Sequence, residues 1–435
     1  MTRRQTLGCA ISFLNALALG QTPQKGARAP RQKAPPARSP AESAGWPLWA
    51  GPHSDFSSDA TGLAASWPAN GPRRLWSRPL GDGYSGIAEE GGTLYTAFRR
   101  RETDVVGALN EATGETLWEF NYPSPFRNAY SEGAGPGPYA MPQVVGDRII
   151  AAGGTAKIWG IEKKTGKFLW GRDLYREFDG TRVEFGYACH ALPYKDYLIL
   201  LAGGRGSAAV ALRQSDGGTV WKRQSFRNAY SSPLLIDLGG RKQVVALVAD
   251  KVIGFDPNTG DDLWQHDHKT ELGIAVSTPA WGADNILLIS SAYGGGTRAL
   301  QLSRDGDRTR VTEVWHNGRI QTHFGSIIRV GGHVYTSSGH QGPGFLTCYE
   351  AKTGNILWQT RDFAKAQLLL ADGKLIVLDE DGALGLVAAS PQGAQVLAKA
   401  SVLQSKSWTP PTLVGTKLFL RDRATIQALD LGSSG

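Results

Sequence analysis

Apolar and polar positions alternate along most of this chain in short extended runs, each closed by a turn rich in Gly, Asp, Asn and Thr. That period of two is the signature of a β-strand with one face buried, and stretches with helical periodicity are nearly absent. One segment shows the pattern plainly. Ala108-Leu109-Asn110-Glu111-Ala112-Thr113-Gly114-Glu115-Thr116-Leu117-Trp118 runs from a strand into a polar turn, where Gly114 can take positive φ, and out into a strand closing on Trp. The arrangement returns at Gly160–Trp170, Gly254–Trp264 and Cys348–Trp358, and more loosely in segments ending at Trp221 and Trp315. It is a repeated β-hairpin.

With Trp76 included, these tryptophans recur every 40–50 residues or so, which is the length of one four-stranded propeller blade. A blade cannot bury both faces alone, so neighbouring blades must stack, and each Trp supplies a large apolar area to the contact. Blades can be counted by their innermost strands, which open on a small or polar residue followed by Pro or Gly and an apolar run. Such openings occur at Tyr84-Ser85-Gly86, Tyr139–Pro142, Tyr187–His190, Tyr230–Pro233, Val276–Pro279, His323–Ser326, Ala366–Leu368 and Trp408–Pro411. The expected fold is all-β: an eight-bladed propeller of four-stranded antiparallel blades, with Leu75–Leu80 closing the short eighth blade. The seventh blade lacks the Trp, and Leu378-Asp379-Glu380-Asp381-Gly382 is taken as its turn. The segment around Trp46 and Trp49 is expected on the outside of the ring or across one end.

The N-terminus does not share the pattern. Residues 1–20 carry Arg3-Arg4, an apolar run from Leu7 to Leu19 and a small-residue cleavage site, the features of a secretory signal peptide. Sec and twin-arginine export both remain open. Residues 21–45, rich in Pro, Ala, Lys and Arg, lack the apolar area needed to fold and read as a linker, which leaves 46–435 as the propeller. An exported protein, periplasmic or secreted and without a transmembrane span, is the expectation.

Charge narrows the partners. The formal charge is +8, but seven basic residues precede Gly45 against Glu42 alone, so about +6 belongs to the tail and about +2 to the propeller. A basic nucleic-acid-binding face is therefore not expected. Past the signal peptide only Cys189 and Cys348 remain, in the third and sixth blades, and a disulfide between them is not expected.

The Ala-x-Asp-x-x-Thr-Gly-x-x-x-Trp pattern resembles the repeat of pyrroloquinoline-quinone-type propellers over residues 46–432. The resemblance implies the fold and leaves two functional branches. Quinoprotein alcohol dehydrogenases of this type are longer, with a vicinal Cys-Cys disulfide over the quinone, a calcium held by Glu, Asn and Asp, and an Asp base. This chain has no adjacent cysteines and no haem-binding Cys-x-x-Cys-His. The other branch is the non-enzymatic lipoprotein that assists assembly of outer-membrane barrels, similar in length and blade number, although this chain lacks the acylated Cys.

Candidate chemistry lies where the opening strands point into the channel. Tyr84, Tyr187, His190, Tyr230, Ser231, Ser277, His323, Lys406 and Trp408 mix aromatic, hydroxyl and cationic groups, which suits a small polar ligand or a peptide. Phe126-Arg127-Asn128-Ala129-Tyr130-Ser131 is repeated letter for letter as Phe226-Arg227-Asn228-Ala229-Tyr230-Ser231. Arg127, Asn128, Tyr130, Arg227, Asn228 and Tyr230 could grip carboxylates or sugar hydroxyls, or else both copies pack between blades. His266-Asp267-His268, Asp305-Gly306-Asp307 and Asp379–Gly382 offer metal-ligand types, but each reads first as turn chemistry. The expectation is a monomeric, non-enzymatic binding or scaffolding module for an envelope protein or extracellular polymer, needing no cofactor. The alternative is an oxidoreductase using pyrroloquinoline quinone and calcium in the channel.

Overall fold

The computed structural model describes residues 45–68, 70–126, 135–340 and 342–432. The expected signal peptide, all of the linker but Gly45, and Arg127, Asn128 and Tyr130 lie outside them.

Eight antiparallel sheets follow one another around a central channel. The first strand, β1 (Arg73–Pro79), is set aside, and blade one is then β2 (Ala88–Glu90), β3 (Thr93–Arg100), β4 (Thr103–Asn110) and β5 (Thr116–Pro123). Blade two comprises β6 (Gln143–Val145), β7 (Arg148–Ala152), β8 (Lys157–Glu162) and β9 (Phe168–Asp173), and a one-turn helix, α1 (Leu174–Glu177), leads to blade three, β10 (Leu192–Tyr194), β11 (Tyr197–Arg213) and β12 (Thr219–Ser225). There β11 (Tyr197–Arg213) is one continuous run that folds back at Gly203 and Gly206, both of positive φ, so Gln214 N–H reaches Asp196 O at 2.9 Å. Three strand segments thus make four passes. Blade four is β13 (Leu234–Leu238), β14 (Arg241–Leu247), β15 (Lys251–Phe255) and β16 (Asp262–Asp267); blade five is β17 (Ala280–Trp281), β18 (Ile286–Ser291), β19 (Gly296–Asp305) and β20 (Arg308–Asn317); blade six is β21 (Thr322–Val330), β22 (His333–Ser338), β23 (Phe345–Glu350) and β24 (Ile356–Thr360). Blade seven is β25 (Ala366–Ala371), β26 (Lys374–Asp379), β27 (Ala383–Ala388) and β28 (Val396–Ser401), and blade eight is β29 (Thr412–Val414), β30 (Lys417–Arg421) and β31 (Thr425–Asp430) with β1 as its outer strand.

The two chain ends therefore meet in one sheet. β1 pairs antiparallel with β31 (Thr425–Asp430), Arg73 opposite Asp430 and Pro79 opposite Thr425, which removes the open edge that an unclosed ring would present. Inside each blade the burial follows from position. The middle strands β3 and β4 are buried on both faces over nearly their whole length, hence their continuous apolar runs, whereas the outer strand β5 is largely half-exposed.

The repeated Trp closes six of the eight seams. Its Nε1–H donates to a main-chain carbonyl in the next blade's hairpin, at 2.8–3.3 Å for Trp76, Trp118, Trp170, Trp221, Trp315 and Trp358. The ring also lies under the turn glycine: a Cβ on Gly166 or Gly217, both of positive φ, would stand 2.5 or 2.7 Å from Trp118 or Trp170. The Thr-Gly turn thus serves two blades at once. Trp264 differs because blade five has a long hairpin turned at Gly306 instead, and its Nε1 bonds Gln243 Oε1 at 2.8 Å. In blade seven, Glu380–Gly382 joins the second and third strands rather than the third and fourth, which corrects the assignment of the blade's Trp-docking turn. Ser390 O takes that role, accepting from Trp358 at 2.9 Å.

Residues 45–64 form a strap across one end of the ring, where the turns after the innermost strands lie. Trp46 bridges Glu89 in blade one, Pro47 O accepts from Val144 N–H in blade two, Ser58 N–H donates to Leu370 O in blade seven, and Ala64 N–H donates to Leu431 O. The two cysteines are free and buried.

Candidate functional site

The strap turns the channel into a pocket with a floor. Trp49 enters from the strap, donates to Thr278 Oγ1 at 2.9 Å and stacks on His190 with centroids 4.0 Å apart and planes 10° from parallel. At the other end the cavity is open and has a volume of about 350 Å³. Its wall is mostly aromatic: Tyr84, Tyr139, Phe185, Tyr230, Tyr293, Phe324 and Trp408, with Ile274 and Val276 between them. Trp408 sits against Tyr84 (4.8 Å) and Phe324 (5.6 Å), and its indole N–H is anchored on Glu380 Oε2 at 2.9 Å. Lys365 is the one Lys or Arg among the described lining residues, and its Nζ stands 3.5 Å from Glu380 and 3.4 Å from His340 O.

The two lining histidines are held neutral. His190 Nε2 accepts from Met141 N–H at 2.8 Å, so its proton belongs on Nδ1, 2.7 Å from Ser232 Oγ. Burial pulls its pKa down to about 3 and that of His323, with help from Lys365, to about 4. Burial pushes the Cys189 thiol up to about 12. Near neutral pH no imidazole here is poised to exchange a proton and no thiolate forms.

Comparison with known proteins identifies the family. The family described as "Outer membrane protein assembly factor BamB" matches residues 61–182 and 186–398, most of the chain. This chain belongs to that family. A protein named outer membrane protein assembly factor BamB from Burkholderia pseudomallei (strain K96243) is 24% identical over 287 residues, 65% of this chain and 70% of that protein. The structure of BamB from Moraxella catarrhalis superposes with a TM-score of 0.56 at 17% identity, covering 83% of this chain and all of that one. Quinohemoprotein alcohol dehydrogenase from Comamonas testosteroni gives 0.65 at 12% identity, covering 91% and 82%, a likeness of fold alone.

As a member of this family the chain places its expected site residues unevenly. Tyr84, His190, Tyr230, His323 and Trp408 line the cavity. Tyr187 does not: it is fully buried in the core between blades two and three. Ser231 and Ser277 are spent on the Ser277 and Ser290 carbonyls. Arg227 points to solvent, and buried Asn228 donates to Leu201 O at 2.9 Å, so in the second hexapeptide copy only Tyr230 reaches the cavity. Lys406 pairs with Asp381 at 2.8 Å outside the cavity, and Lys365, which the opening-strand rule overlooked, stands in its place. Tyr293 was equally hidden, since it comes from a turn between middle strands.

The metal readings resolve into local chemistry. His266 faces Glu313 at 3.5 Å, while His268 is buried on Ser291 at 3.0 Å. Asp305 pairs with Arg310, and Asp379 caps its own turn through Asp381 and Ala383 N–H. Among the described residues no three His, Cys, Asp or Glu side chains converge for a metal, and the cavity lining contains no carboxylate. That donor set does not fit a calcium ion.

A pH dependence follows from the buried imidazoles. His190 and His268 have folded pKa values of about 3, below the ordinary 6.5, so the unfolded chain takes up protons that the folded chain refuses. Their stability contribution is complete above pH 6.5 and falls as pH drops toward 3, by about 1.4 kcal/mol per pH unit for each group. Urea unfolding at pH 7 and pH 5 should show the loss, and His190→Asn should reduce it by about a third, because His268 and His323 keep their shares. An unchanged slope in that variant would refute the assignment.

Proposed function

We propose that this chain is a non-enzymatic binding module of the cell envelope that takes part in outer-membrane protein assembly, engaging a partner polypeptide through the open mouth of its channel. The observation that carries the reading is the cavity itself: a closed floor, an aromatic wall, no carboxylate among its described residues, and histidines kept neutral by burial. Such a site is suited to bind and orient an apolar group. Family membership supports an envelope setting.

The test is genetic and chemical together. A strain lacking the protein should show reduced folded β-barrel content in its outer membrane, restored by the wild-type gene and less than half restored by Trp408→Ala at equal protein level. Purified protein titrated with pyrroloquinoline quinone and calcium should show neither saturable binding nor dye reduction with alcohols or sugars. Micromolar, calcium-dependent binding with dye turnover would overturn the proposal in favour of an oxidoreductase.

A further inference from the structure

We infer that the channel cavity is an anchor pocket for a single aromatic side chain carried on a segment of the partner polypeptide. The inference rests on the binding-module reading above and specifies what that module grips.

Size comes first. At about 350 Å³ the cavity lies at the small end of ligand sites, roughly 300–1,000 Å³, and Trp49 stops it from continuing through the ring. It has room for one ring system with its attached backbone. The walls are fixed in advance: Trp408 is tied to Glu380, Tyr139 OH donates to Gly135 O at 2.7 Å, and Tyr230 OH accepts from Phe185 N–H at 3.2 Å. Rings already held by hydrogen bonds lose little rotamer freedom when a guest ring enters, and their faces and edges offer it stacked and T-shaped contacts.

The polar groups of the wall indicate a peptide rather than a sugar. His323 Nδ1 is buried and makes no hydrogen bond with a described residue, and Tyr84, 5% exposed, has the Arg423 guanidinium as the one side-chain neighbour of its hydroxyl among the described residues. One hydroxyl and one imidazole nitrogen match the N–H and C=O flanking a single side chain. A sugar brings a hydroxyl on nearly every carbon, each needing a partner when buried, and most polar groups of the described lining already have theirs. Gln367, the one amide side chain among the described lining residues, gives its Nε2 to Phe324 O and Trp408 O at 2.9 Å each.

The probes are N-acetyl-L-tryptophanamide, N-acetyl-L-leucinamide and maltose, each titrated into the purified mature protein and followed by ligand-observed NMR. The tryptophan amide should bind saturably and about tenfold more tightly than the leucine amide, and maltose should neither bind nor compete. Filling the cavity by Ala188→Phe, or independently by Val276→Trp, should weaken binding at least about tenfold with the thermal midpoint retained. Equal binding of the two amides, competition by maltose, or undiminished binding in folded filling variants would each overturn the inference. Failure here is separable from failure of the function: the NMR readout needs no envelope partner, and the barrel-content readout needs no knowledge of what fills the pocket.

Discussion

Arg421→Met is expected to lower the unfolding free energy by about 3–5 kcal/mol, because it strips donors from several buried carbonyls at the seam where the ring closes. Arg421 ends the second strand of blade eight, is 0% exposed, and sends its guanidinium into blade one. Nη1 donates to Ala97 O at 2.6 Å and Nη2 to Gly83 O at 2.9 Å and Gly81 O at 3.1 Å. Its direct partners are neutral oxygens, so what it contributes is a planar fork matched to a set of carbonyls, and Arg421→Lys should recover little of the loss. Nearby Arg423 makes a two-point ion pair with Asp82 at 2.7 and 2.8 Å, but both side chains are more than a quarter exposed, and Arg423→Ala should cost only about 1 kcal/mol or less. Urea unfolding of the variants decides the matter. A loss below about 1 kcal/mol for Arg421→Met would mean that the seam is held by its other contacts, among them the Trp76–Glu111 hydrogen bond.

Trp170→Ala should cost a similar amount, about 3–5 kcal/mol. The indole is 5% exposed within a core shared by blades two and three, packs under Gly217, and donates to Gln214 O at 2.9 Å. Trp170→Phe keeps much of the apolar area and forfeits the hydrogen bond, so its loss should be nearer 1 kcal/mol. The pair separates packing from hydrogen bonding in the repeat, and equal losses in the two variants would show that the N–H, rather than the ring, holds the seam. Neither residue touches the channel cavity, so binding of an aromatic amide should persist in whatever fraction stays folded.

The repeat explains why so much of the architecture was legible. Period-two alternation, the Thr-Gly turn and the recurring Trp are local signals, each stating how a strand ends or which face it buries, and they sufficed for eight blades and the closing role of Leu75–Leu80. Residues on the opening strands were also partly readable, because a strand nearest the axis must point some side chains into the channel. Tyr84, His190, Tyr230, His323 and Trp408 were found that way. The same rule misplaced Tyr187, since alternation within an opening sends its side chain into the core between blades.

Other features depend on contacts between parts of the chain far apart in sequence, and no local pattern could announce them. Trp49 becomes a floor only because the strap that carries it is tied to blades one, two and seven, and its partner Thr278 lies 229 residues away. Lys365 enters the cavity from the loop between blades six and seven, while Lys406, equally plausible by composition, is drawn off by Asp381. The sequence by itself determined the fold, the blade count and the closure, because these follow from local periodicity repeated until the ring is full. Only the tertiary structure decided that the channel is stoppered, that its described wall is mostly aromatic, and that its lining histidines are neutral, because burial and long-range pairing set those properties.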